Sequence, residues 1–126
     1  MPFIHVKSLP FNEPLNVRTV VIGLTKDFAT AAGIQLEHVA ATWTFLSPDH
    51  YAFAGRVAQY QPASAHPMLV DLLTPDFNSP TEVEKMLSSI ASSISKRTKV
   101  QVDNIFINYR QAHAGMVFDA GEIVRW

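Results

Sequence analysis

One structural plan is written twice along this chain, and that repetition constrains the fold more than any other feature. In the first copy, Pro2-Phe3-Ile4-His5-Val6-Lys7 reads as a β-strand and Pro10 breaks it. Asn12 suits an N-cap, and Pro14 suits a first helical turn, where its missing N–H costs little. Leu15, Val20, Val21, Leu24, Phe28 and Ala31 recur at helical spacing, and Gly33 is a C-terminal stop, predicting a helix over about 13–32. His38 to Leu46, rich in β-branched and aromatic residues, reads as a second strand. The second copy opens at Pro67 with the strand Met68 to Thr74, which Pro75 ends. Ser79-Pro80-Thr81-Glu82 joins an N-cap serine, a proline at the first helical position and a capping-box glutamate. Val83, Leu87, Ile90 and Ile94 mark an apolar stripe, and Lys96, Arg97 and Lys99 gather where the helix dipole favours cations. Asp103-Asn104 turns into a last strand, Ile105 to Arg110. The copies span about 2–46 and 67–110, offset by about 65 residues.

Two βαβ units of this kind predict an α+β domain over 1–126: a four-stranded mixed sheet with two helices on one face. Short hairpin arms complete it, one from Tyr51 to Tyr60 around Gly55 and one in the tail, about 114–126, turned at Asp119-Ala120-Gly121. The face without helices is left bare, and bare apolar sheet faces favour assembly with further copies. At 48% hydrophobic and 17% charged residues with a net charge of -1, the chain offers no basic surface for nucleic acid and none for a membrane. No apolar run approaches the roughly 20 residues of a membrane span, and no basic segment followed by an apolar run marks a signal peptide, so a cytoplasmic protein is expected. The absence of cysteine excludes disulfide and thiolate chemistry. His5, His38, His50, His66 and His113 lack the i, i+4 spacing of a helical metal site, so no metal is expected. The five glycines are dispersed and no Gly-x-Ser-x-Gly occurs, which gives no phosphate loop, no serine nucleophile elbow and no expected cofactor.

The chemistry points to Met1-Pro2. Methionine before a small residue is normally removed, which would leave Pro2 with a free, ring-held secondary amine. In an apolar pocket its charged form is disfavoured and its pKa falls. A base titrating near the working pH is what proton abstraction beside a carbonyl requires. The plain alternative is a proline merely tolerated at position 2.

The N-terminal Pro2-Phe3-Ile4, the two βαβ halves and the late segment Ile105-Phe106-Ile107-Asn108-Tyr109 together resemble the tautomerase superfamily, and within it the macrophage migration inhibitory factor-like proteins. The resemblance implies a homotrimer with sites at subunit boundaries. It also implies an isomerase acting on a small carbonyl or carboxylate substrate, with Pro2 as the catalytic base and Asn108 lining its pocket. Two positions depart from those relatives. Phe106 stands where they carry a tyrosine, which removes any phenol acid. Ile34 stands where they carry a lysine, so another cation must hold an acidic substrate.

Strand alternation puts Phe106, Asn108 and Arg110 on one face, so Arg110 is in register to bind a carboxylate if Asn108 faces the pocket. Arg56, in the middle hairpin, is the rival cation, reaching a neighbouring subunit; Lys7 faces away from Pro2 by parity. Met116, Val117 and Phe118 supply apolar wall if the tail folds over the site, and Leu72 holds a similar place on the third strand. Against these stand plainer readings: surface arginines, an interface asparagine and ordinary hairpin packing. Two rival functions follow. One is a trimeric binding protein of the same fold without catalysis, expected if Met1 is retained and the Pro2 nitrogen is an amide. The other is an unrelated ferredoxin-like module binding a small ligand.

Overall fold

The computed structural model describes Met1–Trp126. In chain order it contains β1 (Phe3–Ser8), α1 (Val17–Ala32), β2 (Ala40–Phe45), β3 (Met68–Pro75), α2 (Pro80–Thr98), β4 (Ile105–Ala112), β5 (Val117–Asp119) and β6 (Glu122–Val124). The four longer strands form one mixed sheet in the order β2-β1-β3-β4, and β5-β6 form a separate two-stranded pair. β1 runs parallel to β2 and antiparallel to β3, while β3 and β4 are parallel. This is the expected α+β arrangement, with two capped helices between parallel strand pairs and short hairpin strands beyond.

Local chemistry accounts for the helix ends. Ser79 Oγ accepts the Glu82 N–H and Glu82 Oε1 accepts the Ser79 N–H, so the capping box forms in full. Gly33 ends α1 at φ 67, a left-handed conformation that glycine adopts without a Cβ penalty. The start of α1 differs from expectation. Asn16, not Asn12, is the cap, its Oδ1 accepting the Thr19 N–H, and Pro14 lies before the helix. A residue preceding proline resists helical angles, which holds Glu13 out. Upstream, Leu9 donates to Gln61 Oε1 and the Pro10 carbonyl accepts the Gln61 N–H, tying that segment to a distant loop. His38 likewise belongs to a 3₁₀ turn, Leu36–His38, and not to the second strand. The middle arm shrinks to a single bridge between Phe53 and Arg56, turned by Ala54 and Gly55 at φ 52 and 75.

Alternation sorts the sheet into two faces. Ile4 and Val6 of β1 and Met68, Val70 and Leu72 of β3 are buried with Leu24 and Phe28 of α1 and Met86, Ile90 and Ile94 of α2. The α2 stripe is thus centred on Met86 and Ile90, with Val83 and Leu87 only half-buried. The opposite face carries no helix and presents Phe3, His5 and Lys7, then Leu69, Asp71 and Leu73, then Phe106, Asn108 and Arg110. Phe3 and Phe106 are exposed there. The helices are fastened by Asp27, which takes hydrogen bonds from Ser93 Oγ (2.7 Å) and Arg97 Nη2 (3.1 Å) and lies 3.2 Å from Lys96 Nζ. Partial burial pushes its carboxyl up, but the bonds from Ser93, Arg97 and Lys96 outweigh that and hold it below the usual range. Gly23 permits the Arg97 guanidinium to lie on α1, since a Cβ there would meet Arg97 Cζ at 2.2 Å.

Candidate active site

Pro2 immediately precedes β1 and is buried; its carbonyl accepts the Ala40 N–H (3.1 Å), which fixes the residue at the start of the β1–β2 ladder. Because β1 is antiparallel to β3, the Pro2 end of β1 meets the C-terminal ends of β3 and β4. Phe3, Leu73 and Arg110 form one cross-strand row there. At an interstrand spacing of about 4.8 Å, the Arg110 backbone lies about 10 Å from that of Phe3.

A cavity of about 430 Å³ opens at this end of the sheet. One side is Met1, Phe3, Leu73, Pro75, Phe77 and Ala112, and the other is the tail, with Val117, Phe118, Asp119, Val124 and Trp126. All of these side chains except Asp119 are apolar, so the space suits a ligand with a hydrophobic portion. Asp119 is partly spent on its own turn, its Oδ1 accepting the Ala120 N–H (2.9 Å). A second cavity of similar volume, walled mainly by residues 11–15 and 97–100, contains none of the candidate site residues.

The tail reaches the cavity through Asp76, in the turn between β3 and α2. His113 Nδ1 donates to Asp76 Oδ2 (2.8 Å) and Trp126 Nε1 donates to Asp76 Oδ1 (2.7 Å). These bonds from His113 and Trp126 hold the Asp76 carboxyl below the usual range. Phe77 meets the Trp126 ring edge-on at 5.8 Å.

The residues identified from the sequence fall into three places. Pro2, Val117 and Phe118 are at the cavity end: the latter two line it, and Pro2 lies between the lining residues Met1 and Phe3. Met116, 83% exposed, does not line it. Arg110, Asn108 and Phe106 follow one another down the open face, away from the Pro2 end. Arg110 neighbours the wall residue Leu73 and pairs only loosely with Asp71, Nε to Oδ1 being 3.7 Å. Asn108 is level with Asp71 and His5, and Phe106 with Leu69 and Lys7. The remainder lie elsewhere in the chain. Leu72 is fully buried on the helix side, Arg56 sits in the one-bridge turn with its carbonyl bonded to His66 Nε2 (2.8 Å), and Ile34 packs against the core. Phe3, Asp76, Phe77, His113 and Trp126 also belong to the site, without a site role in the sequence reading. Apart from the adjacent Asp76 and Phe77 they lie far apart in sequence, and no local spacing brings them together. No group of three or more His, Asp or Glu side chains converges as a metal site, and no helix is long and apolar enough to cross a membrane.

No family model and no curated protein matches the chain in sequence. Solved structures do match in three dimensions. Pt0534 inactivated by 2-oxo-3-pentynoate superposes with a TM-score of 0.83 at 10% identity, over 97% of this chain and 94% of that one. A fused 4-OT symmetric trimer gives 0.82 at 13% identity, over 97% and 94%. A macrophage migration inhibitory factor homologue from Prochlorococcus marinus gives 0.75 at 14% identity, over 97% and 98%. At such identities the likeness is one of backbone architecture, and in that architecture this chain has the fold of the tautomerase superfamily.

Proposed function

We propose that this protein is a homotrimeric tautomerase or isomerase in which Pro2, freed of Met1, is the general base. The observation that carries the reading is a buried Pro2 beside an apolar cavity on this fold. Met1 is itself a wall of that cavity, so its removal would turn an amide into an amine facing the space it vacates. Apolar surroundings disfavour the ammonium form, and the neutral nitrogen then takes a proton from the carbon beside a substrate carbonyl and returns it at another carbon or at oxygen. Arg110, one strand over from the wall residue Leu73 and loosely held by Asp71, is the cation best situated for a substrate carboxylate. Arg56 of a neighbouring copy is the alternative. Asn108 would donate to the developing enolate oxygen across a subunit boundary. The open sheet face, with Phe3 and Phe106 exposed on it, and the trimeric state of the fused 4-OT neighbour support the trimer.

The test is turnover of the enol of an aryl 2-oxo acid by Pro2→Ala, together with mass spectrometry after treatment with 2-oxo-3-pentynoate, the compound that inactivates Pt0534. Loss of at least 100-fold in kcat/KM is expected, in line with removal of a general base, with covalent label at residue 2 of the parent only. Unchanged turnover in the variant removes Pro2 from the mechanism. The place of Met1 in the cavity wall also supports a second reading, a binding protein that keeps its methionine. Intact mass of the protein from its natural host separates the two.

A further inference from the structure

We propose that Asp76 is a positioning residue that clasps the carboxy-terminal segment as one wall of the Pro2 cavity, and thereby sets the cavity's fit for a carboxylate bearing an apolar or aryl group. The cavity's use for isomerisation rests on the reading above; the clasp itself does not. Three observations carry it.

First, both ends of segment 113–126 converge on one carboxylate, with one N–H to each oxygen: His113 Nδ1 on Oδ2 and Trp126 Nε1 on Oδ1. Hydrogen bonds to an ionised acceptor are the strong kind. Second, the hairpin between those anchors is not part of the main sheet; β5 and β6 pair only with each other. A two-stranded pair is marginal in water unless it packs on something, so its docking depends on side-chain anchors. Third, the docked segment supplies Val117, Phe118, Val124 and Trp126 to the wall, and Trp126 closes edge-on against Phe77 from the residue next to Asp76. Releasing Asp76 would therefore open the tail side of the cavity, with its apolar Val117, Phe118, Val124 and Trp126, while leaving Phe3, Leu73 and the Arg110 row on the main sheet untouched. The clasp should control binding of the apolar part of a ligand and not of its carboxylate.

The experiment compares equilibrium binding of 3-phenylpropanoate and propanoate to the full-length parent, Asp76→Ala and Trp126→Phe by calorimetry. Trp126→Phe keeps an aromatic ring against Phe77 while deleting the N–H donor and the indole's second ring, so it carries the test if Asp76→Ala fails to fold. The expected result is at least tenfold weaker 3-phenylpropanoate binding in Asp76→Ala, about threefold weaker in Trp126→Phe, and propanoate affinity within twofold throughout. Affinity for 3-phenylpropanoate within twofold of the parent in both variants, equal losses for both ligands, or a parent that binds no 3-phenylpropanoate overturns the clasp. Labelling of residue 2 by 2-oxo-3-pentynoate reports separately on the base. Normal labelling with unchanged binding discards the clasp alone, whereas an unlabelled parent that shows the binding difference discards the base alone.

Discussion

Leu72→Ala asks whether position 72 belongs to the core or to the ligand site. Leu72 lies on the helix side of β3, an interior strand, fully buried, with Ile4 and Tyr109 opposite it on the neighbouring strands. Truncation removes three carbons, about 2.4 kcal/mol of transfer free energy at about 0.8 per methylene. A residual cavity adds to that, and the two central strands cannot move together to fill it, so a loss of about 3 kcal/mol is expected. An unfolding entropy of about 2.1 cal/mol/K per residue gives roughly 0.26 kcal/mol/K for 126 residues, which converts the loss into a fall of about 11 °C in Tm. Urea unfolding should show a lower midpoint with an unchanged slope. Parent and variant must be compared at one protein concentration, because assembly stabilises by mass action. Below its Tm the variant should bind 3-phenylpropanoate as the parent does, since the side chain points away from the cavity face. A stability loss under about 1 kcal/mol combined with a tenfold loss of ligand affinity would refute this reasoning and return Leu72 to the site.

Two further predictions concern the helices. Asp27→Asn weakens the Ser93–Lys96–Arg97 cluster between α1 and α2 and should cost about 1 kcal/mol at neutral pH. The folded carboxyl is held below its ordinary value, so its contribution is present above about pH 4 and lost as pH falls through the folded pKa. Urea midpoints of parent and variant should therefore converge between pH 5 and about pH 2, and a gap that stays constant counts against the cluster. Ser79→Ala deletes the acceptor for the Glu82 N–H and should cost about 1 kcal/mol, read as a lower urea midpoint with faster amide exchange at Glu82. Exchange unchanged at that amide would mean the cap contributes nothing.

Much of the architecture was legible because it rests on short-range chemistry. Ser79 and Glu82 are three residues apart, and the bonds they exchange form wherever that helix is packed. The alternation in Phe106-Ile107-Asn108-Tyr109-Arg110 needs only that the strand exist, and its even-numbered residues share the open face as expected. Ala120-Gly121 turns the tail at φ 51 and 83. The start of α1 is not legible in the sequence, because Asn12 and Asn16 offer the same cap chemistry. The choice fell to Gln61, whose bonds to Leu9 and Pro10 hold the incoming chain out of the helix. The middle arm is shorter than the sequence suggests, because Gly55 marks a turn without fixing how much strand flanks it.

From the amino-acid sequence alone came the doubled βαβ plan, the bare sheet face and the interest of Pro2. Each follows from residue spacing of two, three or four, or from a single covalent feature. Only the tertiary structure decided that Leu72 faces the helices, that Arg110 neighbours the cavity wall, and that Asp76 gathers His113 and Trp126. Those last partners are 37 and 50 residues away along the chain. No local propensity encodes such a meeting; it exists because antiparallel pairing of β1 with β3 brings one strand's start to another's end, and the tail packs on the edge so formed.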